Sequence, residues 1–157
     1  MKQTTSVLFV CLGNICRSPS AEAVFRQKAA ESGLNIYIDS AGTHGYHIGK
    51  PADKRSQAAG VERGYSFKGL KCRRADESDF ERFDYILAMD NSNLSHLHGM
   101  SPSQYHHKIK LFLDFADVEE QEVPDPYYGG KRGFELVLDL IEEASDGLIA
   151  HLKQTQS

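Results

Sequence analysis

Residues 7–19, VLFVCLGNICRSP, constrain this chain more than any other stretch. Val7-Leu8-Phe9-Val10 is a short, continuous apolar run, the pattern of a strand covered on both faces. It breaks at a polar, glycine-containing turn, residues 11–18. Pro19 then stands where a first helical residue belongs, because its missing N–H would be unpaired there in any case. Ala21, Val24, Phe25 and Lys28-Ala29 follow at helical spacing, and Ser32-Gly33 supplies a left-handed stop. Strand, turn and helix succeed one another with no slack.

The alternation repeats. Residues 36–38 read as a second strand, and residues 53–63 as a helix closed by Gly64. Residues 76–83 form a short helix or turn, and residues 85–89 (YILAM) the clearest buried strand after the first. Residues 92–98 are a brief helix ending at Gly99, and residues 109–113 the last strand. Phe134, Val137, Leu138, Ile141, Leu148 and Leu152 lie on one stripe of a terminal amphipathic helix. The expectation is an α/β protein: one three-layer domain over residues 1–157, with a four-stranded parallel sheet, helices on both faces and a phosphate-binding loop after the first strand. No internal repeat, low-complexity tract or linker marks a boundary.

Composition narrows the class. With 18 basic and 22 acidic residues the formal charge is −4, which argues against a nucleic-acid-binding face, usually basic. No apolar run approaches the roughly 18 residues of a membrane span. The apolar stretch that follows the polar N-terminus is too short for a signal-peptide core. Three cysteines, an odd count, do not make a secreted disulfide framework. A cytoplasmic domain with neither nucleic-acid nor membrane partners is expected. Two segments, residues 42–51 and 114–133, are long, polar and rich in glycine and proline, as functional loops often are. Both follow expected strands, so both should lie at the carboxyl edge of the sheet, where ligands bind in open parallel sheets.

The turn at residues 11–18 carries the chemistry. A helix N-terminus offers unpaired N–H groups and the positive end of a dipole. Gly13 and Asn14 can adopt backbone angles forbidden to bulkier residues, so the loop can curl with successive amides facing inward. Phosphate fits such a cup, and Arg17 can fork two N–H bonds onto its oxygens. Cys11 lies at the base, where the amides, the dipole and Arg17 favour a thiolate. Ser18 is placed to donate a hydrogen bond to that sulfur. The arrangement suits covalent catalysis: a cysteinyl-phosphate forms and water then cleaves it.

CLGNICRSP, nine consecutive positions between a first strand and a first helix, resembles the signature of the low-molecular-weight protein tyrosine phosphatases. The resemblance continues through Asp39-Ser40-Ala41-Gly42, Ala88-Met89-Asp90 and residues 125–130 (DPYYGG), nearly the whole chain. It implies a phosphoric monoester hydrolase that acts on tyrosine-phosphorylated proteins and small aryl phosphates, with no metal and no cofactor. Leu12, Gly13, Asn14, Ile15, Cys16, Arg17 and Ser18 would bind the phosphate. Asp125, stiffened by Pro124 and Pro126, is the natural general acid for the leaving oxygen, and the family match gives it that role and that of the later base. Alternatively, Asp125-Pro126 is only a turn.

The match also implies that Tyr46, Tyr127 and Tyr128 line a slot around the substrate ring, with Leu12 and Ile15 beneath. A loop-anchoring tyrosine pair is the plainer alternative. Tyr127 or Tyr128 could itself be phosphorylated. The resemblance further implies a protective, thiol-reversible disulfide between Cys11 and Cys16 under peroxide, against the plainer reading of Cys16 as a small buried side chain. Where many relatives place a histidine supporting the asparagine, Leu70 stands here, so Asn14 must be supported from elsewhere, with Ser40 and Arg73 as candidates. The tyrosine-rich rim is compatible with a monomer or a weak homodimer.

The other conspicuous residues read as surface. His96-Leu97-His98 and His106-His107 have no cysteine or carboxylate at ligand spacing. Lys71-Cys72-Arg73-Arg74 is a solvated face or a phosphate-steering patch. Arsenate reduction on the same fold would need a relay through two further cysteines, and only Cys72 lies outside the loop. Relatives that prefer phosphoarginine narrow the pocket with threonine where Ile15 stands. A silent phosphate-binding module would need no acid such as Asp125.

Overall fold

The computed structural model describes residues 5–45, 47–126 and 130–156. Strand β1 (Thr5–Cys11) pairs in parallel with β2 (Ile36–Gly42) over seven residues and with β3 (Tyr85–Ala88) on its other side. Strand β4 (Ile109–Leu111) closes the sheet beside β3, giving the order β2-β1-β3-β4, all parallel. Side chains alternate along a strand, and here each face of the pleat enters its own core. Val7, Phe9, Leu87 and Met89 pack with α1 (Arg17–Glu31) and α5 (Gly130–Gln156). Leu8, Val10, Ile86 and Ala88 pack with Phe80 of α3 (Glu77–Arg82), Leu97 of α4 (Asn91–Met100) and neighbouring Phe83. Phe9 meets Phe25 and Phe112 edge-on, with centroids 5.6 and 4.8 Å apart, a favoured aromatic geometry. The apolar run is therefore continuous because both of its faces are covered. Helix α2 (Lys54–Glu62) starts at Asp53, whose carboxylate accepts the N–H groups of Arg55 and Ser56 at 2.8 and 3.3 Å. Among the described residues, no helix is long and apolar enough to cross a membrane.

The element boundaries differ from expectation for local physical reasons. Helix α1 begins at Arg17, so Pro19 is its third residue rather than its first. The early helical N–H groups are all without intrahelical partners, so a proline there costs no more than at the first position. Gly99 lies inside α4, which ends instead at Met100, before a C-cap Ser101 held extended by Pro102 behind it. Strand β4 stops at Leu111 because Phe112 and Leu113 turn as a short 3-10 helix (Phe112–Phe115) into the core beside α5. Strand β2 runs four residues past its apolar start, through Asp39 and Ser40, which disguise it as a loop.

The long helix α5 approaches this turn closely at Gly147. A β-carbon there would lie 1.7 Å from the Phe115 carbonyl oxygen, a backbone atom that cannot step aside. Helix propensity alone favours Gly147→Ala by about 1 kcal/mol. Overpacking typically costs about 1–3 kcal/mol or more, and so severe an overlap sits at the upper end. Gly147→Ala is expected to destabilise the fold by about 2 kcal/mol or more net. Urea denaturation checks this through a lowered midpoint at unchanged slope, and an unchanged or raised midpoint would refute the packing argument.

Candidate active site

The strand order puts a topological switch between β1 and β3, and the crevice beyond their carboxyl ends is where such sheets bind ligands. Residues 11–18 occupy it. The carbonyl of Cys11 accepts the Thr43 N–H at 2.9 Å and that of Leu12 the His44 N–H at 2.9 Å. The carbonyl of Ile15 accepts the Asp53 N–H at 2.8 Å and that of Cys16 the Ser20 N–H at 3.2 Å. A trans peptide is planar, so the N–H of each following residue points the opposite way. Four carbonyls drawn outward therefore aim the amides of Leu12, Gly13, Cys16 and Arg17 away from these partners. Cys16 is the N-cap of α1 and makes no side-chain cap, which leaves the positive helix end for an anion.

Asn14 makes the tight turn, with φ = 56°; Gly13, expected to share it, has no positive φ. Gly13 packs closely instead: a β-carbon there would lie 3.2 Å from the His47 ring, which would have to give by a few tenths of an ångström. Gly42, at the end of β2, is pressed harder. A β-carbon on it would stand 2.8–2.9 Å from backbone atoms of Leu12, Gly13 and Asn14.

Cys11 is 3% exposed, and its Sγ lies 3.0 Å from the Ser18 Oγ. The same oxygen accepts a hydrogen bond from Asn14 Nδ2 at 2.8 Å, and Asn14 Oδ1 accepts the Arg73 backbone N–H at 2.8 Å. Arg17 is buried, and its Nη1 donates to Asp90 Oδ2 at 2.7 Å and to the Val123 carbonyl at 3.0 Å. Among the described residues its Nε and Nη2 donate no hydrogen bond, so a two-pronged edge remains for a ligand. Burial works against the Arg17 charge, but the Cys11 sulfur, Asp90 and Asp125 outweigh it and raise the guanidinium pKa above its ordinary value. Asp90 caps α4 through the Asn93 N–H at 2.7 Å, and Glu122 accepts the Asn91 N–H at 2.8 Å. The Val123 N–H donates to the Met89 carbonyl at 2.7 Å. The segment leading into Asp125 is thus pinned at Glu122 and, twice, at Val123.

Cys11, Leu12, Gly13, Ile15, Cys16 and Arg17 line one cleft of about 90 Å³, with His47 and Asp125 completing the wall. That is several times the roughly 10–15 Å³ one water needs, and it suits a small tetrahedral oxyanion. Asn14 and Ser18 stand behind it as buttresses. All three cysteines are free thiols, and Cys11 and Cys16 share the cleft. Leu70 is buried and offers Asn14 nothing polar. Of the two proposed substitutes Arg73 serves, through its backbone, whereas the Ser40 hydroxyl donates to Glu22 at 2.6 Å. Tyr46, Tyr127 and Tyr128 lie outside the described residues.

Sequence reasoning gave no role to His47 or Asp90. Asp90 carried a usable signal: a carboxylate directly after a buried strand, at a helix N-cap, falls at the ligand edge. His47 carried only its place in the glycine-rich loop at that edge.

Known proteins share this sequence pattern and this fold. The family model described as low molecular weight phosphotyrosine protein phosphatase matches residues 6–157. The low molecular weight protein-tyrosine-phosphatase YfkJ of Bacillus subtilis is 46% identical over 152 residues, which cover 95% of this chain and 96% of that one. The crystal structure of a protein tyrosine phosphatase from Entamoeba histolytica, with Hepes in the active site, superposes with a TM-score of 0.93 at 45% identity, covering 98% of this chain and 100% of the other. Vibrio vulnificus Wzb in complex with benzylphosphonate superposes with a TM-score of 0.84 at 28% identity, covering 95% and 99%.

Proposed function

This chain belongs to the low molecular weight phosphotyrosine protein phosphatase family, a family of phosphoric monoester hydrolases, and from that premise we propose how its residues divide the work. The substrates are tyrosine-phosphorylated proteins, with small aryl phosphates as stand-ins. The phosphate enters the cup of amides and is held by the free edge of Arg17. The Cys11 thiolate attacks phosphorus; the S–P bond forms as the P–O bond to the aryl oxygen breaks. Asp125 gives its proton to that oxygen, so a neutral phenol leaves. In the second half Asp125, now a carboxylate, takes a proton from water as its oxygen bonds to phosphorus. The S–P bond breaks, its electron pair returns to Cys11, and inorganic phosphate departs. The Ser18 hydroxyl, 3.0 Å from the sulfur, stabilises the thiolate both as it waits and as it leaves.

The observation that carries this reading is the meeting of a sulfur, a guanidinium and a carboxyl group in one oxyanion-sized cleft, although they come from positions 11, 17 and 125. Benzylphosphonate, held by the similar Wzb, joins the same two parts, a ring and a tetrahedral phosphorus. A common covalent intermediate has a kinetic signature. With an alcohol present, the ratio of alkyl phosphate to inorganic phosphate is expected to be the same for several aryl phosphates, because the leaving group has gone before the acceptor arrives. A ratio that follows the leaving group, or turnover lost to a chelator, would overturn the mechanism.

A further inference from the structure

The run Lys71-Cys72-Arg73-Arg74 does not form one basic face. The Arg74 side chain is exposed beside Gly45, whereas the Arg73 guanidinium turns inward. Its Nη1 and Nη2 donate to the two oxygens of Asp79, each at 3.0 Å, and its Nε donates to Asp39 Oδ2 at 3.0 Å. Asp79 is 1% exposed on α3, where it also accepts the Asp76 N–H at 2.7 Å; Asp39 sits on β2. Burial disfavours the Arg73 charge, but Asp79 and Asp39 more than compensate and raise its pKa. A planar fork held by two carboxylates on two different elements leaves the Arg73 main chain little freedom. The main chain is tied as well: the Arg73 carbonyl accepts the Gly42 N–H at 2.9 Å.

The Arg73 N–H is what reaches the catalytic loop. It can only donate, so the atom facing it on Asn14 must be Oδ1, and Nδ2 must face Ser18. Nδ2 can only donate as well, so the Ser18 oxygen spends a lone pair on Asn14 and keeps its proton. That proton has two acceptors in reach, the Cys11 sulfur at 3.0 Å and the Ala41 carbonyl at 3.4 Å. With the Asn14 amide reversed, Oδ1 would take the Ser18 proton and the thiolate would lose its hydroxyl donor. The direction of one main-chain N–H thus sets the direction of the Asn14–Ser18 bond and leaves the Ser18 proton for the sulfur, the nearer of its two acceptors.

We propose that Arg73 is a positioning residue: its clamp on Asp79 and Asp39 fixes the N–H that orients Asn14 and thereby aims the Ser18 hydroxyl at the Cys11 thiolate. The inference rests on the nucleophile assigned to Cys11 and concerns how that group is kept ready. Arg73→Lys keeps the charge and loses the fork. Loosening one hydrogen bond to a charged group costs about 3- to 10-fold in the equilibrium constant for forming the thiolate.

The test reads Cys11 directly, by its rate of alkylation with iodoacetate across pH. Arg73→Lys is expected to displace the curve to higher pH, with a matching loss in kcat for an aryl phosphate and KM little changed. Ser18→Ala should shift the curve further, and the double variant should shift it no further than Ser18→Ala alone, because Arg73 acts through Ser18. Should Arg73→Lys fail to fold, Asp39→Ala removes one leg of the clamp at a partly exposed position and should move the curve in the same direction. A curve unchanged in a folded clamp variant, or shifts that add in the double variant, would overturn the inference. Failure of the Cys11 assignment would look different: Cys11→Ser would keep turnover whatever the alkylation curves did.

Discussion

Cys11→Ser is expected to remove turnover of an aryl phosphate while leaving the fold and phosphate binding in place. By analogy with other enzymes stripped of a covalent nucleophile, the loss in kcat is on the order of 10⁵–10⁶. The cup that favours a thiolate cannot do the same for a serine hydroxyl, whose proton is bound far more tightly. The Ser18 Oγ, 3.0 Å from the sulfur, can still pair with a hydroxyl there, so the buried substituent keeps a partner. Binding of the oxyanion depends on Arg17 and on amides aimed by Thr43, His44 and Asp53, none of which changes. The check is a turnover assay beside a thermal shift with inorganic phosphate. Stabilisation by phosphate should persist and turnover should not. Turnover within a hundredfold of the unaltered protein would remove Cys11 from the mechanism.

The parts of the site that could be read from the chain are those whose neighbours in space are also neighbours in sequence. Residues 11–18 link the two because an apolar strand ends at Cys11 and a helix begins at Arg17, and that junction is written in the consecutive residues 7–19. The two-sided burial of β1 was equally plain, since a run without polar interruption has no solvent face. The partners brought by the sheet order were not plain. Arg17 meets Asp90, 73 positions away, only because β1 and β3 are adjacent. Asn14 meets the Arg73 N–H across 59 positions, and a main-chain donor has no signature in a side-chain alphabet. Asp39 and Ser40 hid the second half of β2 because they serve a buried polar network, through Arg73 and Glu22, rather than an apolar core. Asp125 was singled out by its two prolines and by resemblance; its place opposite Cys11 depends on Val123 being tied to both Met89 and Arg17.

Those ties make the acid separable from the fold. Val123 is held by its N–H and its carbonyl, and Glu122 by the N-terminus of α4, so the segment stays docked whatever stands at position 125. Asp125 itself is exposed on the cleft wall, where a smaller side chain leaves no buried cavity. Asp125→Ala should therefore change chemistry rather than stability, lowering kcat by about 10²–10⁴, the usual range for a lost general acid. The loss should grow with the basicity of the leaving group. A phenol as basic as tyrosine, with a pKa near 10, needs the proton before it departs, whereas a nitrophenolate leaves well without it. Substrate binding should hold, because Arg17 keeps its anchors on Asp90 and the Val123 carbonyl and still presents its other edge to the phosphate. Asp125→Asn should behave alike, since an amide of the same shape holds its protons too tightly to transfer one. Steady-state kinetics on a graded series of aryl phosphates settles the matter. A fall in kcat that is the same for every leaving group, or a loss that appears in KM instead, would mean that Asp125 shapes the cleft and that another group supplies the proton.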